Sequence, residues 1–459
     1  VKSSKFVDLR IAVIQAATDL YPSGNTVANA AAAAFTQVGI LGSSPGGNYL
    51  GQLAVNPGTD YVLCVTNDFQ NIEVRNGNGQ FIATIYSQGV LSRPSVTDNG
   101  SQVVFVNAAG DGMYVDLTYN SGSVQATSNV LINSPDLRNI AISKNGFYVA
   151  ALTADADEFI YALDLFNSEQ EAFRLYNPTY TTGQATGEVQ YADVLEFDYS
   201  GNYIMYDAFN ELTSTTSEDI SYWDIGFLEF RKNGVFTDGN NAFISKLFNG
   251  LPEKASIGNP TLAKNSPYII AFDFIDGIED KYSIYGANVE TGTFNTIVDD
   301  NFGDLGWPTY NRLDNMLIYE GPDNGVTNIY RRALAADKIS SGGNEMGFIA
   351  ERQWAVWYAN GNRSLTVGIS EPTDDAPFSV SVMPNPVTDL ARVNIESKTA
   401  TAVQVSVVNS LGVTLHTREA QLVEGENQLD LNMAQLPAGT YVVRLLSGKS
   451  GAAVKVVKQ

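Results

Sequence analysis

The sequence predicts a mainly β protein: a six-bladed, or seven-bladed, β-propeller followed by a small β-sandwich, with a short N-terminal helical pair in front. Three observations carry this. Between Gly47 and Tyr358 a unit of about four strands recurs every 45 to 60 residues or so, the spacing of propeller blades. From Phe378 to Gln459 short runs alternate apolar and polar side chains between turn residues, the period of a half-buried sheet. Charged residues are only 17%, while Gly, Tyr, Phe, Asn, Ser and Thr are abundant, a mix that favours many short strands over helices.

Length and composition bound the rest. The 459 residues leave room for two or three domains, and 44% hydrophobic residues supply sizeable cores. A net charge of -23 repels nucleic acid and anionic lipid, so neither is an expected partner; it suits a secreted protein that attracts cations. The single cysteine, Cys64, allows no intrachain disulfide and reads as a small apolar strand residue. No apolar run reaches transmembrane length. The sequence opens without Met or an export signal, so it is expected to be a mature product or the C-terminal part of something longer.

Residues 1–40 read as two helices. Phe6, Leu9, Val13, Ala16, Ala17 and Leu20 recur at helical spacing, and Tyr21 to Asn25 breaks the run. Thr26 caps a second helix that passes through Ala30–Ala34 and Phe35 and stops at Gly39. Arg10 to Tyr21, with Val27, Ala33-Ala34-Phe35 and Val38-Gly39-Ile40, resembles the last two helices of a thermolysin-family metallopeptidase. The resemblance implies a zinc-dependent catalytic domain upstream. That domain needs a His-Glu-x-x-His helix, and the only histidine here is His416, so zinc belongs to a missing upstream part and not to this chain. The plainer reading is an unrelated Ala-rich helical pair.

Residues 41–358 form the propeller. Its second unit is the clearest: Arg93 to Gly100, then Gln102 to Asn107, then Gly112 to Leu117. The first unit starts at Leu53 to Thr59, followed by Tyr61 to Val65. The third, fourth, fifth and sixth start at Ile140, Val194, Pro260 and Pro308. Gly100, Gly146 and Gly201 align where a tight turn needs positive φ. The pattern resembles propellers of the TolB and WD40-like group. Fewer aligned glycines after the fourth unit leave seven blades open. Closing the ring takes an extra strand, expected in Phe348 to Tyr358, where Trp354 and Trp357 can seal a seam. Ala359 to Pro377 reads as a polar linker.

Residues 378–459 form the sandwich. Val403, Val405 and Val407 share one face, and Gln404 and Ser406 the other. Pro384-Asn385-Pro386, Asn409-Ser410-Leu411-Gly412, Leu436-Pro437-Ala438-Gly439-Thr440-Tyr441, and Lys455 and Lys458 together resemble the type A sorting domain of type IX secretion system cargo in Bacteroidota. Met383 stands where that family often has an aromatic. The resemblance implies an Ig-like sandwich, export across the outer membrane, an outer-membrane shuttle and translocon as partners, and a sortase-like protease that removes the domain. It makes Pro384, Asn385, Pro386, Gly412, Leu436, Gly439, Tyr441, Lys455 and Lys458 the sorting-signal residues.

No catalytic constellation is expected in this chain. A Ser-His-Asp triad needs a histidine near its serine, and His416 lies in the terminal domain. Asn76-Gly77-Asn78-Gly79 reads as a hairpin turn, not a phosphate loop. Three acidic loops offer oxygen ligands for Ca²⁺: Asp155, Asp157 and Glu158; Asp276, Glu279 and Asp280; Asp299, Asp300 and Asp304. None has the full spacing of a calcium loop, and solvated acidic loops are the plainer reading. Three functions compete. One is the non-catalytic end of a zinc metallopeptidase, with a propeller binding an unknown polymer or peptide. The second is a free-standing binding or adhesion propeller. The third is a propeller lyase or glycosidase.

Overall fold

The computed structural model describes Val13, residues 52–365 except 121, 166, 179–186, 214–218, 233–234, 249 and 364, and residues 378–458 except 410–413, 435, 437–438 and 448–449. The expected helical pair lies outside these residues, Val13 apart. The main break between two compact units falls after Ile369.

In the first unit the described strands run β1 (Asp60–Thr66), β2 (Ile72–Asn76), β3 (Phe81–Tyr86), β4 (Ser95–Val96), β5 (Gln102–Val106), β6 (Gly112–Asn120) and β7 (Ser123–Ile132). Next come β8 (Leu137–Ile142), β9 (Tyr148–Thr153), β10 (Phe159–Asp164), β11 (Glu169–Arg174), β12 (Glu188–Phe197), β13 (Tyr203–Leu212) and β14 (Ile220–Glu229). A hairpin, β15 (Arg231–Lys232) and β16 (Val235–Phe236), precedes β17 (Ile244–Lys246), β18 (Ala255–Leu262), β19 (Ile269–Asp276), β20 (Lys281–Asn288) and β21 (Thr293–Val298). The unit ends with β22 (Thr309–Tyr310), β23 (Met316–Asp323), β24 (Val326–Leu334), β25 (Ser341–Ile349) and β26 (Arg352–Ala359).

Among the described residues these strands make six four-stranded sheets, four of them consecutive meanders and a fifth, β12-β13-β14-β17, interrupted by the β15–β16 hairpin. The remaining sheet is ordered β26-β1-β2-β3, so the last strand fills the first place. Strands β4, β8, β12, β18, β22 and β26 touch one another in a circuit that returns to its start. This is a β-propeller-like fold closed by antiparallel pairing of β26 with β1, from Asp60↔Ala359 to Thr66↔Arg352. The expected opening strand at Leu53 to Thr59 is absent, because β26 holds that place. Phe348 and Ile349 end β25 instead of starting the closing strand.

The second strands explain the stacking. β5 and β9 are apolar runs, and β5 is buried throughout, because each faces a neighbouring sheet on both sides. The outer β7 and β25 are mostly exposed. At the closing seam Tyr61, Tyr119 and Tyr358 pack together, and the Tyr119 hydroxyl donates to Gly100 O at 2.6 Å. Gly100 has φ +66, and a Cβ there would lie 2.7 Å from the Tyr358 ring.

Backbone irregularities on the first strands are answered by buried acids. β12, β18 and β26 each slip register within a few residues of Val194, Asn259 and Trp354. Asn259, Trp307 and Trp354 all take positive φ without being glycine. Their N–H groups donate to acids on the second strand of the preceding sheet: Asn259 to Asp207 at 2.7 Å, Trp307 to Asp273 at 3.1 Å, and Trp354 to Glu320. Asp207 also accepts from Val194 N at 2.8 Å, and Asp273 from Gly306 N at 2.9 Å. Burial pushes the Asp273 carboxyl up to about 6 and that of Glu320 to about 8, with Arg93 opposing both rises.

In the second unit, β27 (Phe378–Met383), β28 (Leu390–Ser397) and β31 (Gly425–Asn432) form one sheet. β30 (Thr414–Leu422), β29 (Thr401–Asn409), β32 (Gly439–Ser447) and β33 (Ser450–Lys458) form another. Val393, Ile395 and Leu431 from the first and Val403, Val405, Val407, Val443 and Leu445 from the second share one buried cluster.

Two outcomes follow for the first unit. Gly100→Ala should cost roughly 1–3 kcal/mol in urea melts, since it adds strain at positive φ and meets a buried ring. The second concerns pH. A carboxyl raised in the folded state binds protons that the unfolded chain has released, so its contribution to stability falls as pH rises from about 4.5 to about 8. Glu320→Gln keeps an acceptor for Trp354 N, so its melting temperature should fall less than the parent's between pH 5 and 8; equal slopes would contradict this.

Candidate functional site

Four of the six sheets pass from first to second strand through the same short turn, Thr97 to Gly100, Ser143 to Gly146, Asp198 to Gly201 and Asn311 to Asp314, and the fifth sheet has the longer turn Ala263 to Tyr268 in that place. Gly100, Gly146 and Gly201 take positive φ, and Asp314 does so in place of glycine. The second residue of each turn, in order Asp98, Lys144, Tyr199, Lys264 and Arg312, lines a common cavity of about 80 Å³. Arg93, just ahead of β4, and Glu196 on β12 also line it, and Arg363 follows β26.

Arg363 ties the ring. It meets Asp98 with two bonds of 2.9 and 2.6 Å and donates to Lys264 O at 2.6 Å, Asn265 Oδ1 at 2.8 Å and Ala54 O at 2.7 Å. Ala359 to Arg363, read from sequence as the start of a linker, is therefore bonded into the first unit. Lys144 pairs with Glu196 at 2.5 Å, and Arg312 with Asp60 at 3.3 Å.

Two cations in this wall lack a carboxylate. Arg93 donates through Nη2 to the carbonyls of Trp307 at 3.0 Å, Pro308 at 3.4 Å and Ala355, and its Nε is buried without a partner. Lys264 donates no side-chain hydrogen bond. Burial first, and then the neighbouring Lys144, hold its ammonium down at about 8.

In the second unit several of the sequence-predicted residues converge on the terminal strand. Pro384, Asn385 and Pro386 are exposed between β27 and β28. Asn385 Oδ1 accepts from Val457 N at 2.8 Å, and Val387, fully buried, donates its N–H to Val457 O at 2.7 Å. Gly439 pairs with Lys458, buried Tyr441 with Val456, and Lys455 with Val442. Leu436 is half-buried against the same core, and Gly412 lies outside the described residues.

The remaining sequence readings fall as follows. His416 is exposed on β30, and Cys64 is fully buried, its thiol pushed up to about 12 by burial. Asn76 to Gly79 is a hairpin turn between β2 and β3, with Gly79 N bonded to Asn76 O at 2.8 Å. Among the described residues no three acidic, His or Cys side chains are grouped to hold a metal. In the acidic loops Asp157 accepts from Tyr161 and Thr153, Asp276 from the N–H groups of Ile278 and Glu279, and Asp299 pairs with Lys281. The cavity wall was missed by sequence reasoning. Its signal was available, as a polar or charged residue one place after the start of each aligned turn.

Similar solved structures include TolB from Acinetobacter baumannii, 14% identical with a TM-score of 0.43 over 66% of this chain and 67% of that one. A nidogen/laminin complex is 10% identical, with a TM-score of 0.40 over 66% of this chain and 100% of that one. Oligogalacturonate lyase from Vibrio parahaemolyticus is 13% identical, with a TM-score of 0.33 over 64% and 86%. No curated protein matches the chain. Residues 381–459 match the family described as the secretion system C-terminal sorting domain, which marks this chain as a protein exported through the type IX system to the cell surface or outside the cell.

Proposed function

We propose that this chain is an exported binding protein: a propeller of six blades that holds a polymer or peptide ligand, carried out of the cell by an Ig-like terminal sandwich. The binding half rests on one observation, the cavity walled by Asp98, Lys144, Glu196, Lys264 and Arg363 where the turns of the ring converge. Such a concave, charged, preformed space suits ligand capture. The export half rests on the match over residues 381–459 and on the way Asn385 and Val387 hold the last strand. An outer-membrane shuttle and translocon would read that strand and its neighbours, and a sortase-like protease would remove the domain afterwards. The likeness of Arg10 to Ile40 to the end of a thermolysin-type peptidase supports a zinc-dependent domain encoded upstream; a gene with no His-Glu-x-x-His codons ahead of Val1 would leave a free-standing binding protein instead.

Removing residues 381–459 should leave the protein in the periplasm, seen by fractionation and blotting of the producing cell; normal amounts outside would refute the export reading. Asn385→Ala removes the acceptor for Val457 N and should destabilise the second unit by about 1 kcal/mol. Export should fall in step, while binding by the propeller stays unchanged. For the ligand, arrays of peptides and polysaccharides probed with the purified chain should give retained spots that Lys264→Met weakens; a blank array would refute the binding reading.

A further inference from the structure

We infer that the cavity at the centre of the ring binds a small oxyanion, a carboxylate or phosphate group held by Arg93 and Lys264. This deepens the binding reading above and rests on it. The first observation is charge. The chain carries -23 overall, yet five cations, Arg93, Lys144, Lys264, Arg312 and Arg363, line this one cavity against two carboxylates, Asp98 and Glu196.

The second is pairing. Lys144, Arg312 and Arg363 are each met by a carboxylate. Arg93 meets only carbonyl oxygens and the Trp307 ring, and among the described residues Lys264 meets no acceptor. A buried donor without an acceptor is costly, and more so when it is charged; Arg93 Nε is such a donor, and Lys264 stands half-buried in the same wall with no acceptor, so the cavity calls for an anion. The third is room. The cavity, at about 80 Å³, exceeds the roughly 10–15 Å³ that a single water needs.

The chemistry that fits is an anion with several acceptor oxygens. A guanidinium offers a planar fork of N–H donors and an ammonium offers a point charge, the two donors that oxyanions accept most strongly. Neutral sugars accept weaker hydrogen bonds from Arg93 and Lys264 than an anion does, and cations are repelled. A carboxylate carried on a sugar and a free phosphate share this chemistry, and the experiment separates them.

The purified full chain is titrated by calorimetry with inorganic phosphate, with glucuronate and with glucose as the neutral control, each to roughly 10 mM, which reaches affinities of millimolar strength. Heat from phosphate alone indicates a free phosphate site, and heat from glucuronate alone an acidic-sugar site; glucose should give none. Lys264→Met should weaken the active anion at least about tenfold, and Lys264→Arg should keep most of the affinity. A further readout uses the parent protein with ¹³C-dimethylated lysines, the Lys264 signal being assigned with Lys264→Arg. Its titration midpoint should rise when the anion is present, which holds even if Lys264→Met fails to fold. No heat from either anion and an unmoved midpoint would overturn the inference, as would equal binding by Lys264→Met. Retained polymer spots on the arrays together with silent anions would sink this inference and leave the binding reading standing.

Discussion

The pairing of β26 with β1 is the constraint on which the first unit depends. Each sheet has apolar second strands that face a neighbour on both sides, so an open row of sheets would leave one such face in water. Burying a single large apolar side chain contributes about 1.5–3 kcal/mol, and an unclosed end would forgo several of these. Closing the ring brings together residues at the two ends of the unit, but the entropy of closure grows only with the logarithm of the loop, so the great length between them adds little. Tyr358 then seats against Tyr61 and Tyr119, and Gly100 must stay small to admit it.

Closure has a backbone consequence. The first strands are packed side by side around the ring and bend where they converge. The bends at Asn259, Trp307 and Trp354 put non-glycine residues at positive φ and free their N–H groups from regular pairing. A buried unpaired N–H is costly, and Asp207, Asp273 and Glu320 supply the acceptors. At two of these bends the carbonyls are met by one side chain, Arg93, which reaches Trp307, Pro308 and Ala355. The equivalent positions in the first three sheets, Val65, Val106 and Leu152, are apolar, so this device belongs to the second half of the ring. Acids here act as acceptors for the backbone rather than as partners in close ion pairs, and burial raises Asp273 to about 6 and Glu320 to about 8.

Periodicity made the sheets legible. The runs Tyr61 to Val65, Gln102 to Val106 and Tyr148 to Leu152 each became a second strand, and the turn glycines took the expected conformation. The terminal motifs were legible for a related reason: Pro384-Asn385-Pro386 and Gly439 to Tyr441 are fixed by backbone geometry, and backbone geometry leaves residue types behind. The opening strand was misplaced because Leu53 to Thr59 carries the same apolar-then-turn pattern as the true first strands. Only the competition with β26 for one edge of β1 decides between them, and that is a non-local contact. Arg363 was hidden for the same reason. A lone arginine in a polar stretch has no pattern, and its role comes from Asp98 and Lys264, far away in sequence.

The charge distribution sets the terms on which the cavity can work. An outer surface as acidic as this one repels anions at distances up to about a Debye length, some 8 Å at physiological salt. Within the ring, low-dielectric walls concentrate the field of Arg93 and Lys264 and screen it little. A free anion therefore meets repulsion outside and attraction inside. An anionic group attached to a neutral polymer escapes much of that barrier, because contacts along the polymer offset the repulsion of its one charged end. The arrangement thus favours a sparsely charged ligand over a densely charged one, which separates it from any site built for nucleic acid.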